Sequence, residues 1–171
     1  PSYLMRHGFD NPEEGHGFSI GVTQLRPESR GRITLRSADP LAAPAIDPRY
    51  LTEEPDLEVL IEGIRMAREI ADQEPFDGVR GEEVWPGTDA ESDEEIAEWA
   101  RETVETVYHP VGTCRMGEDG MAVVDDDLRV HGVEGLRVVD ASVMPTIPGG
   151  NTNAPTIAVA ERAADLVSGE R

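Results

Sequence analysis

The chain has 171 residues, enough for one ordinary domain or a large part of a bigger protein. Its 35 acidic residues against 15 basic ones leave a net charge of −20, and every basic residue is an arginine. Such a surface repels phosphate backbones and anionic headgroups, which excludes nucleic acid and anionic membranes as partners.

The acids are spread along the chain, as on a solvated surface, and together with the missing lysines they suit a halophilic cytoplasm. Cys114 stands alone, which excludes an intrachain disulfide and a cysteine-built zinc site. No apolar run approaches the length of a membrane span, so none is expected. The opening "PSYLMRHGFD" has no apolar signal core and enters as if in mid-fold, so the chain is expected to be a piece of a longer protein.

In chain order, "GFSIGVTQLRP" alternates Phe18, Ile20 and Val22 on one face and predicts a half-buried strand. "RPESRG" turns, and "RITLRS" resumes the alternation with Ile33 and Leu35 inward, which predicts an antiparallel hairpin. "ADPLAAPAIDPRY", broken by prolines, is expected to be loop. From Pro55 the period becomes helical: Leu57, Leu60, Ile61, Ile64, Ala67 and Ala71 share a face. "SDEEIAEWARETVETV" predicts a second helix, with Ser92 and Glu95 as a capping box and Ile96, Trp99, Ala100 and Thr103 on its face.

The last third changes character. "GLRVVDAS" reads as a buried strand delivering Asp140 at its end. "VMPTIPGG" is loop, and "NTNAPTIAVAERAADLV" is a helix capped by Asn151 or Asn153, with Ile157, Ala160, Ala164 and Val167 on one face. A helix start after Gly149 and Gly150 offers unpaired N–H groups to an electron-rich ligand, and Asp140 could hydrogen-bond the same ligand. An ordinary capped helix after an ordinary strand is the plainer reading, and composition favours it.

"YHPVGTCRMG", residues 108–117, holds the most informative histidine. Imidazole exchanges protons near neutral pH, so His109 could be a base, yet a histidine before proline is more often a turn residue. His7, His16 and His131 sit in weaker contexts, and no histidine or carboxylate spacing predicts a metal site. The "DDD" at 125–127 lacks the glycine and terminal glutamate of a calcium loop and reads as a solvated turn.

Five collinear blocks carry a resemblance: "LRPESRGRITLRSADP", "IDPRYL", "YHPVGTCRMG", "VHGVEGLRVVDASVMP" and "GGNTNAPTIAVAERAADL". In these the chain resembles the C-terminal part of a glucose–methanol–choline (GMC) oxidoreductase, closest to the choline-dehydrogenase-like members. The resemblance implies an α+β fold. Residues 1–107 would be part of a substrate-binding domain, an antiparallel sheet with helices. Residues 108–171 would carry the catalytic histidine loop and a strand–loop–helix returning into an FAD-binding α/β domain. It further implies FAD as cofactor, a small-molecule alcohol as substrate, and hydride transfer from a CH–OH carbon to the flavin. The base of the family maps to His109 and its partner to Asn151, while Asp140, Ala141, Thr152 and Asn153 map along the flavin.

The family's N-terminal G-x-G-x-x-G unit does not occur here. The partner implied is therefore the missing FAD-binding portion of the same enzyme, and the chain alone is expected neither to hold FAD tightly nor to oxidise alcohols. The competing expectation is a truncated, non-catalytic fragment or interaction module. Choline, other alcohols and sugars all stay open as substrates.

Overall fold

A helix needs one apolar stripe and a well-made start, and the segment after Pro48 has both. The computed structural model describes residues 15–169. They divide into two compact units, one of residues 15–31 with Pro48–Thr106 and one of Arg32–Asp47 with the described residues from Val107 onward.

In the first unit, α1 spans Glu54–Ala71 and α2 spans Asp93–Thr103. Pro55 at the start of α1 lacks only an N–H that would be unpaired anyway, and Glu54 and Asp56 favour the positive helix end. The capping box of α2 is formed: Glu95 N donates to Ser92 Oγ at 3.3 Å, and Ser92 N donates to the Glu95 carboxylate at 2.9 Å. The helix stops at Thr103, short of the expected end. Val104 turns extended, and the β-branched run Thr103, Val104, Thr106 and Val107 disfavours another turn.

The two helices pack through the predicted stripes. Leu57 meets Ala97 and Ala100, and Ile64 meets Ala90 and Ile96, with Ile61 and Trp99 against both groups. Burying Leu57 or Ile96 completely is worth about 1.5–3 kcal/mol each. The loops are held by polar ties. Arg68 on α1 grips the Glu83 carboxylate at 2.9–3.1 Å and donates to the carbonyls of Ala90 and Gly87. Asp56, only 1% exposed, accepts from the backbone N–H of Glu28 at 2.7 Å and of Ser29 at 2.8 Å. Burial pushes its carboxyl pKa up, but the bonds from Ser29, Glu28 and Gln24 pull it further down, below the ordinary value.

The strand expected over 17–27 does not form. Its alternating residues serve side-chain packing instead: Val22 sits against the Ile64–Ala90–Ile96 group, and the Phe18 ring lies 5.2 Å from that of Phe76. Gly63 on α1 lets this segment approach, because a Cβ there would fall on Val22 Cγ1.

In the second unit, β1 (Arg32–Thr34) pairs antiparallel with β2 (Ala45–Asp47), in the register Arg32–Asp47, Ile33–Ile46 and Thr34–Ala45. The partner of β1 is thus the segment expected to be loop, and the expected pairing with 17–27 is absent. Ile33 and Leu35, expected inward, are 51% and 88% exposed. This short hairpin presents no core face among the described residues.

"GLRVVDAS" is also not a regular strand. Arg137 makes a single bridge to Arg129, Val138 N donates to the Leu128 carbonyl, and Ala141–Val143 closes into a 3-10 turn. A buried strand needs backbone neighbours along its length, and here the peptide groups are paired piecemeal by turns. The core of this unit is built on those turns: Val124, Leu128, Val143 and Ala163, flanked by Met116, Val123, Val130, Val138 and Val159.

The last helix, α3, spans Asn153–Ser168 and ends on Gly169 in the left-handed region. Its N-cap residue is Thr152, neither of the two asparagines expected. The buried stripe also differs. Thr152, Val159, Ala163 and Leu166 face inward, whereas Ile157, Ala160, Ala164 and Val167 are exposed. Among the described residues the fold is thus a small antiparallel two-stranded sheet with three helices. Among the described residues no helix is long and apolar enough to cross a membrane.

Candidate active site

The loop after α2 enters the second unit at Val107 and turns sharply. Tyr108 has φ +63°, a left-handed conformation that few side-chain-bearing residues adopt, and it delivers His109 ahead of Pro110. Gly112 follows with φ +90°, a left-handed conformation that favours glycine. Backbone bonds then lay this loop along the segment before α3: Cys114 N donates to the Ser142 carbonyl at 3.0 Å and Met116 N to the Val143 carbonyl at 2.8 Å. Val143 is fully buried, which anchors the pair of segments in the core. Arg115 and Asp119 close the far end of the loop as a two-bonded ion pair, and the Asp119 carboxyl is held at about 2 chiefly by that hydrogen bonding.

The structure brings His109, Asn151 and Thr152 together from distant parts of the sequence. The Asn151 Nδ2 amide donates to His109 Nε2 at 2.8 Å, and Thr152 Oγ1 lies 2.9 Å from Nδ1. The Thr152 backbone nitrogen lies 3.4 Å from the same Nδ1. The ring is half-buried, Thr152 is 7% exposed, and Asn151 is exposed. Both ring nitrogens are therefore engaged by neutral groups, with one side of the ring sealed and the other reachable. Asn151 thus holds the nitrogen on the exposed side of the ring and Thr152 the nitrogen on the buried side.

Asp140, Ala141 and Asn153 are not joined to this cluster by side-chain bonds. The exposed Asp140 accepts from its own Ser142 N at 2.8 Å, capping the 3-10 turn that contains half-buried Ala141. Asn153 is the exposed first residue of α3. That helix start has no side-chain cap, so its first-turn N–H groups and positive dipole end are not neutralised by a local side chain. Cys114 is a free, partly buried thiol. His131 Nε2 lies 2.9 Å from the Gly117 carbonyl oxygen, and His7 lies outside the described residues. A hollow lined by Asp125 and residues 129–137 contains none of the site residues. Among the described residues no group of three His, Cys, Asp or Glu side chains could hold a metal ion.

Residues 27–160, most of the chain and all of the His109–Asn151–Thr152 cluster, match the family model of the GMC oxidoreductase C-terminal domain. The chain belongs to the GMC oxidoreductase family. Among its relatives, the oxygen-dependent choline dehydrogenase of Chromohalobacter salexigens is 54% identical over 156 residues, which is 91% of this chain and 28% of that protein. The enzyme of the same name from Vibrio vulnificus is 50% identical over 165 residues, 95% of this chain and 30% of that protein. Among solved structures, pyridoxine 4-oxidase from Mesorbium loti superposes with a TM-score of 0.80 at 35% identity, over 86% of this chain and 29% of that one. This GMC chain thus spans less than a third of the length of these relatives.

Sequence reasoning missed one feature of the cluster, the contact between Thr152 and the ring. The signal was present as a second helical stripe, since Thr152, Val159, Ala163 and Leu166 recur at helical spacing.

Proposed function

We propose that this chain is the C-terminal part of an FAD-dependent alcohol-oxidising enzyme in which His109 is the base. The observation that carries the reading is the 2.8 Å bond between Asn151 and His109, 42 residues apart, which leaves one ring nitrogen beside an exposed amide. A substrate hydroxyl replaces the Asn151 amide at His109 Nε2, which takes the hydroxyl proton of a CH–OH substrate, while the released Asn151 amide donates a hydrogen bond to the substrate oxygen. Asn can orient and polarise but cannot share the proton, so the acid–base work falls on His109 alone.

FAD, bound by the complete enzyme, supplies the acceptor for the hydride. The residues present fit one edge of such a group. The uncapped start of the 16-residue α3 would face its electron-rich side, with Asn153 there and Asp140 and Ala141 along its length. Residues 108–171 then belong with the FAD-binding domain and residues 1–107 with the substrate domain. Activity belongs to the complete enzyme, and the chain alone is inactive. The names of the two curated relatives make choline the first alcohol to try.

The test is His109→Ala in the complete enzyme. Turnover of the best alcohol should fall by about 10²–10⁴-fold while flavin content stays unchanged. Undiminished turnover would remove His109 from the mechanism.

A further inference from the structure

We propose that Thr152 is a positioning residue that fixes the tautomer of His109, a role that rests on His109 being the base. Neutral imidazole carries one N–H and one lone pair, and the partner of one nitrogen decides the state of the other. Asn151 Nδ2 bears only hydrogens, so at 2.8 Å it requires a lone pair on Nε2. The ring proton then sits on Nδ1, where Thr152 Oγ1 accepts it at 2.9 Å. The Thr152 backbone N–H also points at Nδ1, at 3.4 Å, and competes for a lone pair there; it is the longer of the two Thr152 contacts and is given up when Nδ1 carries the proton.

Three features show that the threonine is committed to this contact. Threonine at an N-cap ordinarily turns its hydroxyl onto the first-turn N–H groups, yet Thr152 makes no side-chain cap bond. It is also buried, while Asn151 and Asn153 on either side are exposed. Its backbone is clamped as well: the Thr152 carbonyl accepts from Thr156 N at 2.9 Å and from Thr156 Oγ1 at 2.7 Å. The hydroxyl is therefore held against Nδ1 by the first turn of α3. The lone pair of Nε2 is turned to the exposed side, where Asn151 holds it until a substrate hydroxyl takes its place, and when the base is protonated there, Nδ1–H keeps its acceptor.

The reverse arrangement has Thr152 donating to Nδ1 and Nε2–H donating to the Asn151 carbonyl oxygen. Long-range ¹H–¹⁵N correlation spectra of histidine-labelled chain, recorded with the ring neutral, separate the two. The wild type and Thr152→Ser should show a protonated Nδ1 and an unprotonated Nε2. Thr152→Val, of the same shape without the acceptor, should move the proton toward Nε2. In the complete enzyme Thr152→Val should lower kcat/KM about tenfold, a fraction of the ~10²–10⁴ that a general base contributes, with Thr152→Ser restoring it and flavin content unchanged.

A wild-type ring protonated on Nε2 overturns the proposal, whatever the variants do. So does a Thr152→Val spectrum identical to wild type, or a loss of flavin that accounts for the lost rate. If the tautomer follows Thr152 but His109→Ala keeps full turnover, the base assignment fails and the positioning contact stands without a catalytic role. If His109→Ala abolishes turnover while the tautomer ignores Thr152, only the positioning role fails.

Discussion

The two units are stabilised in different ways. In the first, α1 and α2 each carry one apolar stripe, and the loops are tied down by arginine and carboxylate bonds from Arg68 and Asp56. In the second, the core is assembled from turns and single bridges, and α3 is apolar on two sides, of which only one is buried. A helix with one stripe has one way to pack. A helix with two stripes takes its orientation from whatever the rest of the unit presents.

Four substitutions test that contrast, beginning with the largest effect. Leu57→Ala, at a site 2% exposed between α1 and α2, should cost about 2–5 kcal/mol in urea unfolding. A loss below about 1 kcal/mol would show that the helix pair is not the core of its unit. Gly63→Ala should also destabilise, by about 1–3 kcal/mol, even though alanine is the better helix former by about 1 kcal/mol. The new methyl would meet Val22, whose branched side chain has little rotamer freedom to withdraw. Stabilisation instead would mean that the 17–27 segment is not packed on α1.

The third test concerns pH. The folded pKa of Asp56 lies below its ordinary value, so its contribution is complete above about pH 4 and is lost as the pH falls through the lower folded value. Asp56→Asn should therefore lower stability at pH 7, with the Glu28 and Ser29 N–H groups poorly served, by about 1–3 kcal/mol. Between pH 4 and pH 2 the variant should lose less stability than wild type, and equal acid slopes would remove the carboxylate from the account. The smallest effect is expected in the second unit. Ile157→Ser, 54% exposed on the outward stripe of α3, should change the stability of the chain by no more than about 0.5 kcal/mol. A large loss would mean that the stripe read from sequence is the buried one.

The legible features were those set within a few residues. The capping box of Ser92 and Glu95, the stripe Leu57–Ile61–Ile64 and the start of α1 follow from spacing that a helix imposes on its own neighbours. Strand readings failed where pairing was the deciding event. Residues 17–27 and "GLRVVDAS" both have strand-like composition, yet neither forms a ladder, and β1 pairs instead with a proline-flanked segment read as loop. Strand propensity describes a residue's fit to a pleated surface, and the partner that supplies the hydrogen bonds is not written in the segment itself.

The candidate site divides along the same line. From the five collinear blocks, "YHPVGTCRMG" and "GGNTNAPTIAVAERAADL" among them, the chain's membership of its family was readable, and with it His109 and Asn151 as candidate site residues. What sequence could not supply was the contact between residues 42 and 43 positions apart. Tertiary structure decided which nitrogen of the ring faces Asn151, that Thr152 turns from its helix to the histidine, and which stripe of α3 is buried. The physical reason is that hydrogen-bond direction and burial are properties of a pair of surfaces, whereas spacing and composition are properties of one segment.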